Sequence, residues 1–167
     1  NTLFLSVVGS TIAVALALVL SWVLVRTKVP GRALLDFVAM APLAIPGTVL
    51  GVGVMWAWIR VPGLWASIWL LLIALVSAFL CYGIRSVSAG LLQINRELEE
   101  SAYMSGATWL ATVRRVLVPM LKPAMTTAWI LLFSIFYRDV SLVALLWSSS
   151  SMPLSMLALD IWANSSY

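Results

Sequence analysis

Side chains able to do chemistry are scarce in this chain. Its 167 residues include ten Lys and Arg, six Asp and Glu, one cysteine and no histidine. Without histidine there is no Ser-His-Asp or Cys-His catalysis, no His-Glu-x-x-His zinc site and little scope for transition-metal chemistry. Cys81 stands alone in an apolar run, so neither an internal disulfide nor a cysteine-rich metal site can form. The two lysines, Lys28 and Lys122, lie outside any Gly-x-x-x-x-Gly-Lys-Ser/Thr pattern, so a phosphate-cradling loop of that kind is missing. Any ATP chemistry must come from another polypeptide. We expect no catalytic residue, no metal and no cofactor bound by this chain. The polar residues that remain gather between Arg96 and Pro123, in RELEESAYMSGATWLATVRRVLVPMLKP.

The elements that must position that stretch are membrane spans. The chain is 63% apolar and 10% charged, with a mean hydropathy of +1.06. A soluble domain carries about 25% charge and about 45–50% apolar residues. The fold class expected is an all-α polytopic membrane bundle. Uncharged runs place spans at about 3–25, 37–59, 64–84 and 120–147, the last interrupted by Arg138 and Asp139. The first run alone, at 1.5 Å rise per residue, covers roughly 34 Å. A last apolar stretch, Leu154 to Trp162, is too short to span alone. Three bases fall between spans one and two and five between Arg85 and Lys122, against Arg60 alone in the intervening turn. The positive-inside rule then places the 85–119 loop in the cytoplasm. Bases scattered between apolar runs do not make a nucleic-acid surface. The tryptophans near span ends read as an interfacial belt. The chain begins with Asn1 and shows no charge ahead of its first apolar run, and we read it as part of a longer membrane protein.

Within the 85–119 loop, Val87, Leu91, Ile94, Leu98 and Ala102 recur at helical spacing. Gly106 breaks that run. A second amphipathic helix follows, with Trp109, Leu110, Val113, Val116 and Leu117 on one side and Arg114 and Arg115 pointing away. Pro119 is expected to end it, and Pro123 to open the next span. A helix–glycine turn–helix of this kind can lay its apolar stripe on the bundle and offer its polar face to a partner groove. Periodicity alone is equally met by a solvated amphipathic loop.

Glu100-Ser101-Ala102, three residues, Gly106, nine residues, then Val116-Leu117-Val118-Pro119 resembles the EAA motif of permease subunits of binding-protein-dependent ATP-binding cassette importers with the type I import fold. The family pattern is Glu-Ala-Ala, three residues, Gly, nine residues, Ile-x-Leu-Pro. Departures fall at Ser101, Val116 and Val118. The stretches PLAIPGTVLGVG (Pro42 to Gly53) and FYRDVSLVALL (Phe136 to Leu146) are similar to the iron(III)-type branch, whose relatives include phosphonate and polyamine permeases. The chain looks like the second half of a fused two-half permease, with further spans before Asn1 and after Tyr167. The resemblance implies an ATPase-coupling site at Glu99, Glu100, Ser101, Ala102, Gly106, Val116, Val118 and Pro119. It implies ATP-binding cassette ATPase subunits acting as a dimer, with ATP and Mg on them. It also implies a second permease half or subunit, an extracytoplasmic substrate-binding protein, and residence in the bacterial inner membrane. Iron(III) is the expected cargo.

Two further features carry alternatives. Pro42 and Pro46-Gly47 interrupt the second span, either as a kink lining the translocation pathway or as a packing kink. Arg138 and Asp139 lie in an apolar run, either as a gate or binding-protein contact or simply at the outer interface. A secondary transporter needs coupling carboxylates or histidines at mid-membrane, and only Asp139 qualifies. An intramembrane protease lacks its facing residues, and a scaffold leaves the motif spacing unexplained.

Overall fold

A computed structural model describes residues 1–61, 63–65, 67–148 and 153–164. Most of the described residues are helical, with short connections between the helices. The helices are α1 (Thr2–Arg26), α2 (Arg32–Met40), α3 (Gly47–Trp58), α4 (Ile68–Gln93), α5 (Arg96–Met104), α6 (Trp109–Thr112), α7 (Val118–Arg138), α8 (Val143–Leu146) and α9 (Leu154–Asn164). A 3-10 turn, Ala41–Ala44, follows α2, and a π turn, Val113–Leu117, joins α6 to α7. Among the described residues, three helical runs are long and apolar enough to cross a membrane, α1, α4 and the continuous 30-residue run Trp109–Arg138, or four if a bent pair is counted as one span. The chain is an all-α membrane bundle.

These three helices pack against one another through small residues. Along α1 the buried positions are Thr2, Leu5, Ser6, Gly9, Ser10, Ala13, Val14, Ala17 and Ser21, a stripe of mostly small side chains. Its outward positions are large and apolar, Leu3 and Val19 among them. Lipid makes this inversion favourable, because helices in hydrocarbon associate through close packing and not through expulsion of water. A Cβ added at Gly90 of α4 would lie 2.5 Å from the Ala124 Cβ of α7, and one at Gly9 would lie 2.8 Å from the Phe136 ring. Two of the buried hydroxyls bond within the bundle, Ser10 donating to the Ser6 carbonyl at 2.6 Å and Ser21 to the Ile84 carbonyl at 3.0 Å, while the Ser6 hydroxyl is left without a partner among the described residues.

The second apolar run is not one kinked helix. It is two helical pieces, 32–44 and 47–58, bent by 112°. Pro46 explains the break. Ile45, ahead of Pro46, is held extended (φ −109°, ψ 128°), and Pro46 is itself extended and caps α3. Pro42 sits in the first turn of the 3-10 segment, where its missing N–H costs little.

The helix boundaries near the polar loop also depart from expectation. Helix α4 starts at Ile68, where the Ser67 hydroxyl caps it by accepting from the Leu70 N–H, and it runs nine residues past Ile84. Pro119 does not end the second loop helix, since helical structure continues through it to Arg138. The π turn accounts for this. The Val118 N–H donates to the carbonyl of Val113, five residues back, and the widened turn relieves the clash that a proline ring makes one turn earlier. The expected loop 148–153 falls largely at residues outside those described.

Candidate functional site

The polar loop folds as a knuckle at one end of the bundle. Asn95 opens α5: its Oδ1 accepts from the Glu97 N–H at 3.3 Å, and Glu97 and Glu99 in the first turn complement the helix dipole. The helix closes with the Gly106 N–H donating to Tyr103 (2.9 Å) and the Ala107 N–H to Ala102 (3.1 Å). That closure needs φ +81° at Gly106, a left-handed conformation that glycine adopts without strain. Thr108 then caps α6, its hydroxyl accepting from the Ala111 N–H at 3.4 Å. Glycine turn and threonine cap together end α5 and start α6 within four residues.

The expected coupling residues divide into two groups. Glu100, Ser101, Gly106 and Pro119 are exposed, while Ala102, Val116 and Val118 are half-buried. Arg114 and Arg115 are exposed and line open clefts beside Thr108 and Ala111. Glu99 belongs elsewhere. Its Oε1 lies 2.7 Å from Nε of Arg26, the last residue of α1, and the two side chains are only 12% and 7% exposed. The carboxylate is turned into the chain, so it is not part of an outward docking face. The remaining reach of Arg26 goes to the end of α4, where Nη2 donates to the carbonyls of Leu91 (3.2 Å) and Ile94 (2.7 Å). Arg96 answers from α5, donating to the Val25 carbonyl at 3.1 Å. Sequence reasoning gave Arg26 and Arg96 only a topological role. Nothing in their spacing reveals that each donates to carbonyls at another helix's end.

Beneath the knuckle, Leu91, Ile94, Leu117 and Leu121 form a small buried cluster flanked by Trp22 and Val25. Trp22 and Trp109 meet edge to face at 5.5 Å, tying α1 to α6.

The other expected residues lie apart from the knuckle. Gly47 and Gly51 face the segment at α8: a Cβ at Gly47 would meet the Ser141 side chain at 3.3 Å, and one at Gly51 the Leu145 side chain at 3.2 Å. Both glycines thus lie within packing distance of that segment. Pro46 makes the break already described, and Pro42 lies in the 3-10 segment before it. Helix α7 stops at Arg138, which is exposed. Asp139 accepts from the Leu142 N–H at 3.0 Å and its carbonyl accepts from the Ser155 hydroxyl at 3.0 Å. The two charges therefore sit at a helix end and not within a continuous span. On α4, Arg85 pairs with Asp36 of α2 at 3.5 Å, both partly exposed.

Residues 9–166 match the family described as binding-protein-dependent transport system inner membrane component. The chain belongs to this family. Binding-protein-dependent inner membrane components are transport permeases, so the chain is a multi-pass membrane transport component and not an enzyme. It is 30% identical over 170 residues to the probable sulfate transport system permease protein cysT of Marchantia polymorpha, covering 95% of this chain and 58% of that one. It is 30% identical over 146 residues to the putative ferric transport system permease protein FbpB 1 of Haemophilus influenzae, covering 86% of this chain and 22% of that one. The sulfate transport system permease protein CysT of Salmonella typhimurium is 30% identical over 138 residues, covering 74% of this chain and 49% of its own. The chain thus spans about half the length of the sulfate permeases and about a fifth of the ferric one.

Proposed function

We propose that this chain forms part of the translocation pathway of an ATP-driven importer, and that its knuckle is the lever through which a separate ATPase acts. The observation that carries the reading is the knuckle itself. A short polar helix, α5, is closed by Gly106 and presents Glu100 and Ser101 outward, in a chain that belongs to a permease family. Glu100 would pair with a basic residue in a groove of the ATPase subunit. Closure of two ATPase subunits around ATP and Mg would then push this knuckle and that of a second permease half or subunit, rocking the bundle between two states. Swinging such an equilibrium from 1:99 to 99:1 takes roughly 5.5 kcal/mol. The knuckle lies on the cytoplasmic side of a bacterial inner membrane, as the eight of ten bases on that side favour. A substrate-binding protein delivers cargo from the other side. Pro42, Pro46, Arg138 and Asp139 contribute to the pathway or its outer mouth, with membrane lipid around the rest.

The cargo is iron(III), in keeping with the ferric relative. Sulfate is the second reading, favoured by the sulfate permeases. Reconstitution of the complete transporter with its ATPase and binding protein, followed by uptake of radiolabelled iron(III) and sulfate, tests both. ATP-dependent uptake of one supports the importer and names the cargo. Uptake driven by an ion gradient without ATP overturns the lever.

A further inference from the structure

We infer that Arg26 and Glu99 are positioning residues that make the knuckle one rigid body with the inner ends of α1 and α4. This rests on the lever reading, and it assigns the joint through which that lever would act. Three observations support it. The Arg26–Glu99 pair is a close contact of opposite charges, 2.7 Å apart and nearly sealed from solvent with side chains 7% and 12% exposed, the Nε–H not being aligned to hydrogen-bond that oxygen. Nη2 of the same guanidinium donates to carbonyls at the end of α4, Leu91 and Ile94, so one guanidinium meets the ends of three helices, by hydrogen bonds at α4 and by charge at Glu99. Arg96 makes the return link from α5 to the Val25 carbonyl at 3.1 Å.

Geometry makes this joint stiff. The chain between α4 and α5 is only Ile94 and Asn95, and such a short connection could swing if nothing crossed it. Two arginines cross it in opposite directions, Arg26 from α1 to α4 and α5, and Arg96 from α5 back to α1. The apolar cluster of Leu91, Ile94, Leu117 and Leu121 lies beneath, beside a cavity of about 230 Å³ that Trp22 and Trp109 help to line. A push on the outward face of α5 is then delivered to α1 and α4 together. Glu100, one position on, points outward, so neighbouring carboxylates divide the work: Glu99 holds the frame and Glu100 meets the partner.

The test uses spin labels on cysteines introduced at Met104 of α5 and Val19 of α1, both exposed, in the assembled transporter; Cys81 is buried and stays unlabelled. The distance distribution is read at rest and after trapping with ATP and vanadate. The parent protein should give one narrow distribution, unchanged by trapping. Glu99→Gln keeps the shape but removes the charge, and should widen the distribution at least twofold and let it shift on trapping. Should that variant fail to assemble, Arg26→Lys, which keeps the charge and gives up the guanidinium, should show the same widening. A parent distance that changes on trapping, or variants as narrow as the parent, overturns the inference. Co-purification of the ATPase with the parent protein is scored separately. Its loss refutes the lever, while the resting distances still decide whether the joint is rigid.

Discussion

Helices α1, α4 and α7 bury stripes of small and apolar residues and fit closely enough that a single added Cβ at Gly90 would collide with Ala124. Helices α2 and α9 bury none of their residues, and α3 buries only Gly51. Apolar content alone does not separate them, since α3 is as apolar as α1. What separates them is side-chain size at helix seams and continuity of the backbone. The close-fitting region is built as a frame. The broken region, with its 112° turn, keeps apolar faces free for lipid or for other protein in the complete assembly. The knuckle meets the frame through Arg26, as the proposed lever requires.

The contrast can be broken most severely at Gly90. Gly90→Leu should separate α4 from α7 and prevent assembly, because overpacking by several methylenes costs about 3 kcal/mol or more where backbones are in contact. Thermal unfolding in detergent should show it as a lost transition. The corresponding change on the broken side, Gly53→Leu, meets nothing within 4 Å and should leave the midpoint within a few degrees. Next comes Glu99→Ala, which strands the Arg26 guanidinium. Breaking a buried pair costs about 3–5 kcal/mol, with the lower end expected here since Arg26 keeps two carbonyls. Glu100→Ala, one residue away and exposed, should leave the unfolding midpoint unchanged yet lower ATP-dependent uptake.

Gly106 gives a smaller and more selective effect. A Cβ there meets nothing within 4 Å, so the stability cost of Gly106→Ala is the left-handed backbone alone, about 1–2 kcal/mol. Gly106→Leu adds little to that cost in the isolated chain. Uptake should fall far more with Leu than with Ala if a partner occupies the space beside the turn. Equal uptake by both variants would reduce Gly106 to a backbone role. The smallest effect belongs to Asp139→Asn, which retains an acceptor for the Leu142 N–H. Stability should barely change, and unchanged uptake would place Asp139 as a cap and not a gate.

Much of the frame was legible in the sequence. Long uncharged runs report helices because nothing else satisfies backbone groups in hydrocarbon, and the Glu, Gly and Pro spacing located the knuckle and its turn. The rest was hidden for identifiable reasons. Proline was read as a stop at 119, whereas a π turn one step earlier lets the helix absorb it. The break at Pro46 is sharper than a kink because Ile45 must also leave the helical region. Glu99 and Glu100 are chemically identical, and only the rotation of α5 against α1 decides which of them faces inward. The seam of α1 carries no amphipathic signal, since its buried serines and alanines are less apolar than its exposed leucines and valines.

The central claim is that α5 meets a separate ATPase by its outward face. Cysteines placed at Glu100 and, as a control, at Leu3 on the far end of α1 should be challenged with a short bifunctional crosslinker in the assembled transporter. The account predicts an ATP-sensitive crosslink from position 100 to the ATPase subunit and none from position 3. A fully active transporter that never yields the crosslink from position 100 would contradict it.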